Sequence, residues 1–154
     1  MRQVPAHKPY SYREDASVPE FDDAHVLAVM DGNCALCSFG AQLISRFDRQ
    51  DRVKIAPAQS KTGGAVMRHY GLDPDDPDSW LVVHDGQAVT SLDAMIEMGR
   101  IVGGPGWLLQ PLRLLPAALK HWLYQRIARN RYALFGRTDL CALPDPKLRA
   151  RLIE

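Results

Sequence analysis

Apolar positions along the first two thirds of the chain follow two different spacings. Short apolar or alternating runs predict four β-strands, at residues 24–30, 53–56, 80–84 and 87–90. Apolar side chains that recur every three or four residues predict three helices: one capped by Asn33 and fading near Gln50, one over residues 62–70, and one capped by Ser91. The predicted element order is therefore β-α-β-α-β-β-α.

This order restricts how the strands can pair. The first two strands are joined through a helix, so we expect them to be parallel. The last two are separated only by Asp85-Gly86, a dipeptide typical of a two-residue hairpin, so we expect them to be antiparallel. The pattern thus predicts an α/β fold with a mixed four-stranded sheet and helices on its faces.

Three segments of different composition predict how the chain is organised. Residues 1–22 contain three prolines and little apolar periodicity, which is typical of an irregular or mobile leader. Residues 23–104 hold the predicted strands and helices and form the expected core. Residues 105–154 form a helical extension that we expect to pack on this core.

Positive charge concentrates in that extension. The chain of 154 residues has a net charge of +1, whereas residues 100–154 carry ten Lys and Arg against three Asp and Glu, a net charge of +7. Apolar and basic positions recur at helical spacing over residues 107–131, and Pro111 and Pro116 interrupt them, so we expect the regular helix to begin near Pro116 or Ala117. Two interpretations stay open: a helix with a basic outer face packed on the sheet, or one that contacts a membrane surface or a partner.

Composition and cysteine content exclude several classes of protein. The chain is 46% hydrophobic and 24% charged, which is ordinary for one globular domain. Three cysteines are too few for a disulfide-rich secreted scaffold. The N-terminus lacks the apolar segment of a secretory signal, so we expect a cytoplasmic protein. We expect no nucleic-acid binding, because no stacking platform or fold signature accompanies the basic residues.

The segment Cys34-Ala35-Leu36-Cys37 carries the candidate chemistry. This CxxC stands where the first strand gives way to the first helix, so the two thiols can approach disulfide distance. Cys34 would lie beside the unpaired N–H groups and the positive end of the helix dipole, and both favour the thiolate. The placement indicates a redox pair. Two other interpretations stay open: a zinc site completed by Cys141 or a histidine, and structurally inert cysteines in an interaction protein.

The motif and several later segments resemble one family. Asp31-Gly32-Asn33-Cys34-Ala35-Leu36-Cys37 is similar to the D-G-x-C-x-x-C signature of the DCC family of thiol-disulfide oxidoreductases. The resemblance continues through residues 24–152, in Ala56-Pro57-Ala58-Gln59-Ser60, Gly71-Leu72-Asp73-Pro74, Ala128-Arg129-Asn130-Arg131-Tyr132, Phe135-Gly136 and Cys141. It implies a thioredoxin-like fold and thiol-disulfide exchange.

Exchange chemistry predicts a role for each site residue. Cys34, expected to be the more exposed thiol, would attack a disulfide, and Cys37, expected to be more buried, would resolve the mixed disulfide. Asp31 would accept or relay a proton, or shape the turn. We expect no organic cofactor, a disulfide- or thiol-bearing protein or small thiol as substrate, and a separate electron donor or acceptor. Cys141 is expected to be a small buried residue, or else a third thiol near the pair.

One departure from thioredoxin itself concerns the substrate side. No proline directly precedes the third strand, where thioredoxin-like enzymes present one against the active site. Ser79-Trp80 occupies that position in this sequence. We therefore expect substrate docking to differ from that of thioredoxin.

Overall fold

The computed structural model describes residues 4–154. Over that range the strands and α-helices, in chain order, are β1 (Val26–Met30), α1 (Ala35–Phe47), β2 (Val53–Pro57), α2 (Lys61–His69), β3 (Leu81–His84), β4 (Gln87–Thr90), α3 (Ser91–Val102), α4 (Ala117–Phe135) and α5 (Pro146–Arg149). Short 3₁₀ helices lie at Ser11–Glu14, Gly104–Leu114 and Leu140–Ala142.

The strands form one mixed sheet in the order β2-β1-β3-β4. β1 pairs in parallel with β2, with Ala28 opposite Ile55, and antiparallel with β3. β3 and β4 form an antiparallel hairpin through Asp85 and Gly86, whose φ angles of 49° and 74° suit a tight two-residue turn. The predicted α/β class, the parallel pair and the hairpin are confirmed, and the arrangement is consistent with a thioredoxin-like fold.

Both faces of the sheet are covered, so the core has two layers of side chains. The side chains of β1 alternate between these two layers, because successive side chains of a strand point to opposite faces of the sheet. Met30 and its even-numbered neighbours face α1, α3 and the C-terminal extension, whereas Leu27 and Val29 face α2 and the N-terminal segment. Full burial on both sides explains why β1 is an uninterrupted apolar run.

The N-terminal segment packs against the α2 side of the sheet. Tyr12, in the first 3₁₀ helix, is buried in that layer and stacks on Phe21 with ring centroids 5.2 Å apart. Its hydroxyl donates to Asp23 (2.9 Å). His69, at the end of α2, contacts Asp15 at 2.7 Å. A segment with little apolar periodicity is therefore anchored by single aromatic and charged side chains, a contribution that periodicity does not reveal.

The C-terminal extension begins with a 3₁₀ helix that stops at Leu114, and α4 begins at Ala117, directly after Pro116. The start predicted from the prolines is confirmed. Beyond α4, the chain returns to the core: Leu140 and Leu148 are buried among the side chains of α1 and β1.

The end of the chain also covers an edge of the sheet. The N–H of Ile55 donates to the Arg151 carbonyl, and the N–H of Ile153 donates to the Ile55 carbonyl, both at 2.8 Å. These bonds occupy the outer side of β2, which would otherwise present unpaired backbone groups. The sequence pattern did not predict this short parallel contact.

Some predicted boundaries are wrong by one or two residues. β1 begins at Val26 rather than at residue 24, and the cap of α3 is Thr90 rather than Ser91. The cap of α1 is Cys34 rather than Asn33, because the carbonyl of Asn33 accepts a hydrogen bond from Thr138 and does not start the helical ladder. That correction moves the first cysteine to the very start of the helix.

Candidate active site

The cysteine pair occupies the junction between β1 and α1. The Cys34 carbonyl accepts the first helical hydrogen bond, from the N–H of Ser38 (2.9 Å). The backbone N–H groups of Leu36 and Cys37 point at the Cys34 sulfur, and the Cys37 thiol donates to it. The two sulfurs are not joined by a disulfide in this structure. The helix start thus surrounds the Cys34 sulfur with three donors.

These donors separate the acidities of the two thiols. The hydrogen bond from Cys37, aided by the two N–H groups, lowers the pKa of Cys34 to about 6 against the opposing effect of burial. The same hydrogen bond, together with burial, raises the pKa of Cys37 well above its ordinary value. Near neutral pH the pair therefore holds one thiolate, on Cys34, and one proton, on Cys37.

The turn before Cys34 is held by Asp31 and Gln59. The Asp31 carboxylate accepts from the N–H of Asn33 (2.9 Å) and from Gln59 Nε2 (3.1 Å), and Gln59 Oε1 accepts from the N–H of Gly32 (2.9 Å). A Cβ at residue 32 would lie 3.0 Å from Gln59 Oε1 and 3.2 Å from Pro57 Cβ. The glycine of the motif therefore permits this close approach.

Two residues of α4 contact the other oxygen of Asp31. The Tyr132 hydroxyl donates to Oδ2, and Arg131 Nη2 lies 3.4 Å from the same atom. The guanidinium carbon of Arg131 also lies 4.4 Å from the centre of the Tyr132 ring. Asp31 and Arg131 are both buried. The negative charge of Asp31 acts to raise the pKa of Cys34, and Arg131 places a compensating positive charge beside it.

Trp80 closes the site on the side of Cys37. Its indole Nε1 donates to the Cys37 sulfur at 3.2 Å, and its backbone N–H donates to the Tyr124 hydroxyl at 3.2 Å. A Cβ at Gly40 would lie 2.4 Å from the indole ring, so only glycine at that point of α1 leaves room for it. Trp80, which precedes β3 where thioredoxin has its proline, is therefore in direct contact with the second thiol.

A short segment after α4, residues 136–140, covers the first cysteine; we call it the cover segment. Its backbone pairs with the turn: Leu140 N–H donates to Gly32 (2.8 Å), Thr138 N–H to Asn33 (3.1 Å), and Ala35 N–H to the Gly136 carbonyl (3.3 Å). Cys34 is 0% exposed and Cys37 is 5% exposed. The expectation that Cys34 is the more exposed thiol is wrong, because a segment about a hundred residues away in sequence lies over it.

Cys141 is exposed, just beyond the cover segment, so the expectation of a buried residue is wrong. It lies in the 3₁₀ helix Leu140–Ala142, where Leu140 rather than Cys141 points into the core. Partial desolvation and the neighbouring Asp139 raise the pKa of its thiol. Within residues 4–154 no group of three or more His, Cys, Asp or Glu side chains is arranged to hold a metal ion. No helix in that range is long and apolar enough to cross a membrane.

Several site residues were missed when the chain was read as a pattern. Gln59, Arg131 and Tyr132 stand inside segments that carry the family resemblance, but the sequence assigns them no role. The available signal is that those segments lie far from the CxxC in sequence, and in the fold they meet at Asp31.

Comparisons with known proteins agree with this geometry. Residues 28–137 match the family model of the DCC1-like thiol-disulfide oxidoreductases. The chain is 33% identical over 125 residues to the uncharacterized protein YuxK of Bacillus subtilis (strain 168), covering 81% of this chain and 91% of that protein. It is 29% identical over 123 residues to the chloroplastic DCC family protein At1g52590 of Arabidopsis thaliana, covering 79% of this chain and 72% of that protein. No solved structure gives a significant match.

Proposed function

The chain belongs to the DCC1-like thiol-disulfide oxidoreductase family, and on this premise we propose that it exchanges the dithiol of Cys34 and Cys37 with disulfides of proteins or small thiols. The observation that carries the proposal is the position of the two cysteines: Cys34 caps α1, and Cys37 lies buried in its first turn against the indole of Trp80. Hydrogen bonds at this helix start lower the pKa of Cys34, whereas the hydrogen bond to Cys34 and burial raise the pKa of Cys37. A nucleophile and an adjacent resolving thiol are what disulfide exchange requires.

The proposed exchange proceeds in two balanced steps. The Cys34 thiolate attacks one sulfur of a substrate disulfide, forming a mixed disulfide and releasing the other substrate sulfur as a thiolate, which takes up a proton. Cys37 then loses its proton and attacks the Cys34 sulfur, which releases the second substrate thiol and leaves a Cys34–Cys37 disulfide. The substrate gains two electrons and the protein loses two, so a separate donor, either one dithiol or two monothiols, must restore the protein. With an oxidised protein, the same steps run in reverse.

Asp31 acts in this proposal as a positioning residue. Both of its carboxylate oxygens already accept hydrogen bonds, from the Asn33 N–H, Gln59, Tyr132 and Arg131. Those bonds hold the turn that presents Cys34, and the carboxylate charge opposes ionisation of the thiol. The sequence left two roles open for Asp31, proton transfer and shaping of the turn. We propose the second, together with an electrostatic effect of the carboxylate on Cys34.

Substrate access requires the cover segment to move. A disulfide cannot approach a sulfur that is 0% exposed. Leu140 anchors the end of the cover segment in the core, but the residues before it are held to the turn by two backbone hydrogen bonds, at Gly136 and Thr138, and each contributes only about 1 kcal/mol net. The free energy of this local opening is therefore small compared with the free energy of unfolding the whole protein.

The decisive experiment measures the redox state of the pair. The purified protein is equilibrated across a series of glutathione ratios, quenched with acid, alkylated after unfolding and weighed intact. Unfolding before alkylation makes buried and exposed thiols equally reactive. We expect a reversible change of two thiols, and its midpoint gives the reduction potential of the pair.

Three variants identify which sulfurs take part. Cys141→Ser should keep the two-thiol change, whereas Cys34→Ser and Cys37→Ser should each abolish it. If the wild-type protein shows no two-thiol change at any ratio, the proposal is wrong. If the change disappears in Cys141→Ser, the couple involves the exposed cysteine and not the CxxC alone.

A further inference from the structure

The solvent-facing side of α4 mixes large apolar side chains with arginines. Leu119, Trp122, Arg126 and Arg129 follow one another at steps of three and four, so they share one face of the helix. All four are exposed, and Trp122 is 57% exposed. Tyr124, on the opposite side of the helix, is buried. The apolar side chains on the outer face are therefore not part of the core.

The charge of this region has one sign. Residues 104–135 contain five Lys and Arg and no Asp or Glu. In the part of the chain that the structure describes, ion pairs engage Arg113, Lys120 and Arg131, but none involves Arg126 or Arg129. These two arginines flank the exposed apolar positions and have their charges available for an anionic partner.

The preceding 3₁₀ helix adds exposed apolar side chains beside this face. Trp107 and Leu108 are exposed, and Leu114 is 89% exposed. This segment packs on α3 through Gln110, whose amide donates to the Ile96 carbonyl (2.9 Å), and α4 packs on α3 through Lys120 and Asp93. One helix, α3, therefore supports both segments.

We propose that α4 and the segment before it bind the surface of an anionic lipid membrane. Protruding Trp and Leu side chains insert at the boundary between headgroups and acyl chains, and neighbouring arginines bind lipid phosphates. A second copy of the chain is a poorer occupant, because a two-fold contact pairs the same patch of both copies and so brings two positively charged surfaces together. The absence of acidic residues over residues 104–135 is what selects an anionic partner.

The test is sedimentation of the full-length protein with vesicles of phosphatidylcholine, with or without phosphatidylglycerol. We expect binding only when phosphatidylglycerol is present, and weaker binding as salt is added. The Arg126→Gln/Arg129→Gln variant should bind roughly 25-fold more weakly, at about fivefold for each charge. Trp122→Ser should also weaken binding, by about tenfold, because it removes inserted apolar area. All three side chains are exposed, so these variants should fold normally.

A matched control removes two positive charges elsewhere. Lys61 and Arg68 are exposed on α2, which packs on the opposite face of the sheet, so Lys61→Gln/Arg68→Gln should bind like the wild type. Failure of the wild type to bind phosphatidylglycerol vesicles would overturn the proposal. So would equal binding to neutral vesicles, or an equal loss in the control. Light scattering without lipid gives a last check: a dimer that disappears in Trp122→Ser would overturn lipid binding in favour of self-association.

Discussion

Two buried arginine–aspartate pairs lie at opposite ends of α1, and in both the arginine comes from the C-terminal extension. Arg131 meets Asp31 just before the helix, across 100 residues of sequence, and Arg151 meets Asp48 just after it, across 103. No side chain of the four is more than 9% exposed. The two pairs have the same chemistry and nearly the same burial, but they differ in how closely the charges approach: 2.6 Å between Arg151 and Asp48, and 3.4 Å between Arg131 and Asp31.

The pair at the end of α1 is tightly held. Arg151 Nη1 lies 2.6 Å from the Asp48 carboxylate and 3.1 Å from the Val53 carbonyl, and Nη2 lies 2.6 Å from the Asp48 carbonyl. Asp48 also accepts from the N–H of Val53 (2.9 Å). These hydrogen bonds connect the end of α1 to the start of β2 and to the C-terminal segment.

The pair beside the cysteines is looser. Arg131 Nη2 is 3.4 Å from Asp31, and in the described part of the chain Arg131 Nε is buried without a hydrogen-bond partner. The longer distance makes this pair a weaker stabilising contact but leaves both charges acting on Cys34. The same kind of ion pair therefore stabilises the fold where the charges are in close contact, and adjusts the pKa of a neighbouring thiol where they lie further apart.

The largest expected effect comes from breaking the tight pair. Arg151→Ala leaves the Asp48 carboxylate buried without its main partner, so we expect the free energy of unfolding to fall by about 3–5 kcal/mol. Urea denaturation measures it. Lys147→Ala, which removes an exposed charge from α5, should change stability by less than about 0.5 kcal/mol. A loss below about 1 kcal/mol in Arg151→Ala would mean that the tight bonding does not stabilise the fold.

Breaking the looser pair, Arg131 and Asp31, should change the pKa of Cys34 instead. Arg131→Gln removes the charge that offsets Asp31, so the pKa of Cys34 should rise, whereas Asp31→Asn removes the opposing carboxylate and should lower it. We expect about a tenfold change in the ionisation constant in each direction, which corresponds to about 1.4 kcal/mol. Ultraviolet absorbance of the thiolate follows the titration, for which we expect a midpoint of about 6 in the wild type. Shifts in the same direction for both variants would contradict this electrostatic account.

The sign of the accompanying pH dependence follows from the lowered pKa. The folded protein ionises Cys34 at about 6, below the value of 9.0 for an unperturbed thiol. Ionised Cys34 therefore stabilises the reduced fold fully above pH 9, and this contribution decreases as the pH falls and is lost through about 6. Comparing the wild type with Cys34→Ser by urea denaturation at several pH values isolates the contribution. A difference between the two that does not change with pH would contradict it.

The smallest expected effect concerns the cover segment, which lies at the loosely bonded end of α1. Thr138→Pro deletes the N–H that donates to the Asn33 carbonyl, a bond worth about 1 kcal/mol. Native alkylation of Cys34 should then be about fivefold faster, because the open state becomes more populated. Thr138→Ala keeps the N–H and serves as the matched control. Equal rates in the two variants would show that this bond does not limit access to the thiol.

The sequence predicted the candidate site only as far as the segment between β1 and α1. A CxxC after an apolar run and an Asp-Gly turn indicates a thiol pair at a helix start, because helix dipoles and capping groups act locally. The burial of Cys34 could not be predicted in the same way. The cover segment has no periodicity of its own, and its hydrogen bonds to the turn are made by backbone atoms.

The order of strands and helices, the hairpin at Asp85-Gly86 and the position of the thiol pair all follow from local patterns in the chain. Apolar periodicity, turn-forming residues and prolines determine the backbone conformation within a few residues, so their effects can be predicted from the sequence. Long-range packing, by contrast, sets which arginine meets which aspartate, what covers Cys34 and which face of α4 is exposed. Those outcomes depend on how the C-terminal extension packs against α1 and α3, and contacts across about a hundred residues leave no local pattern.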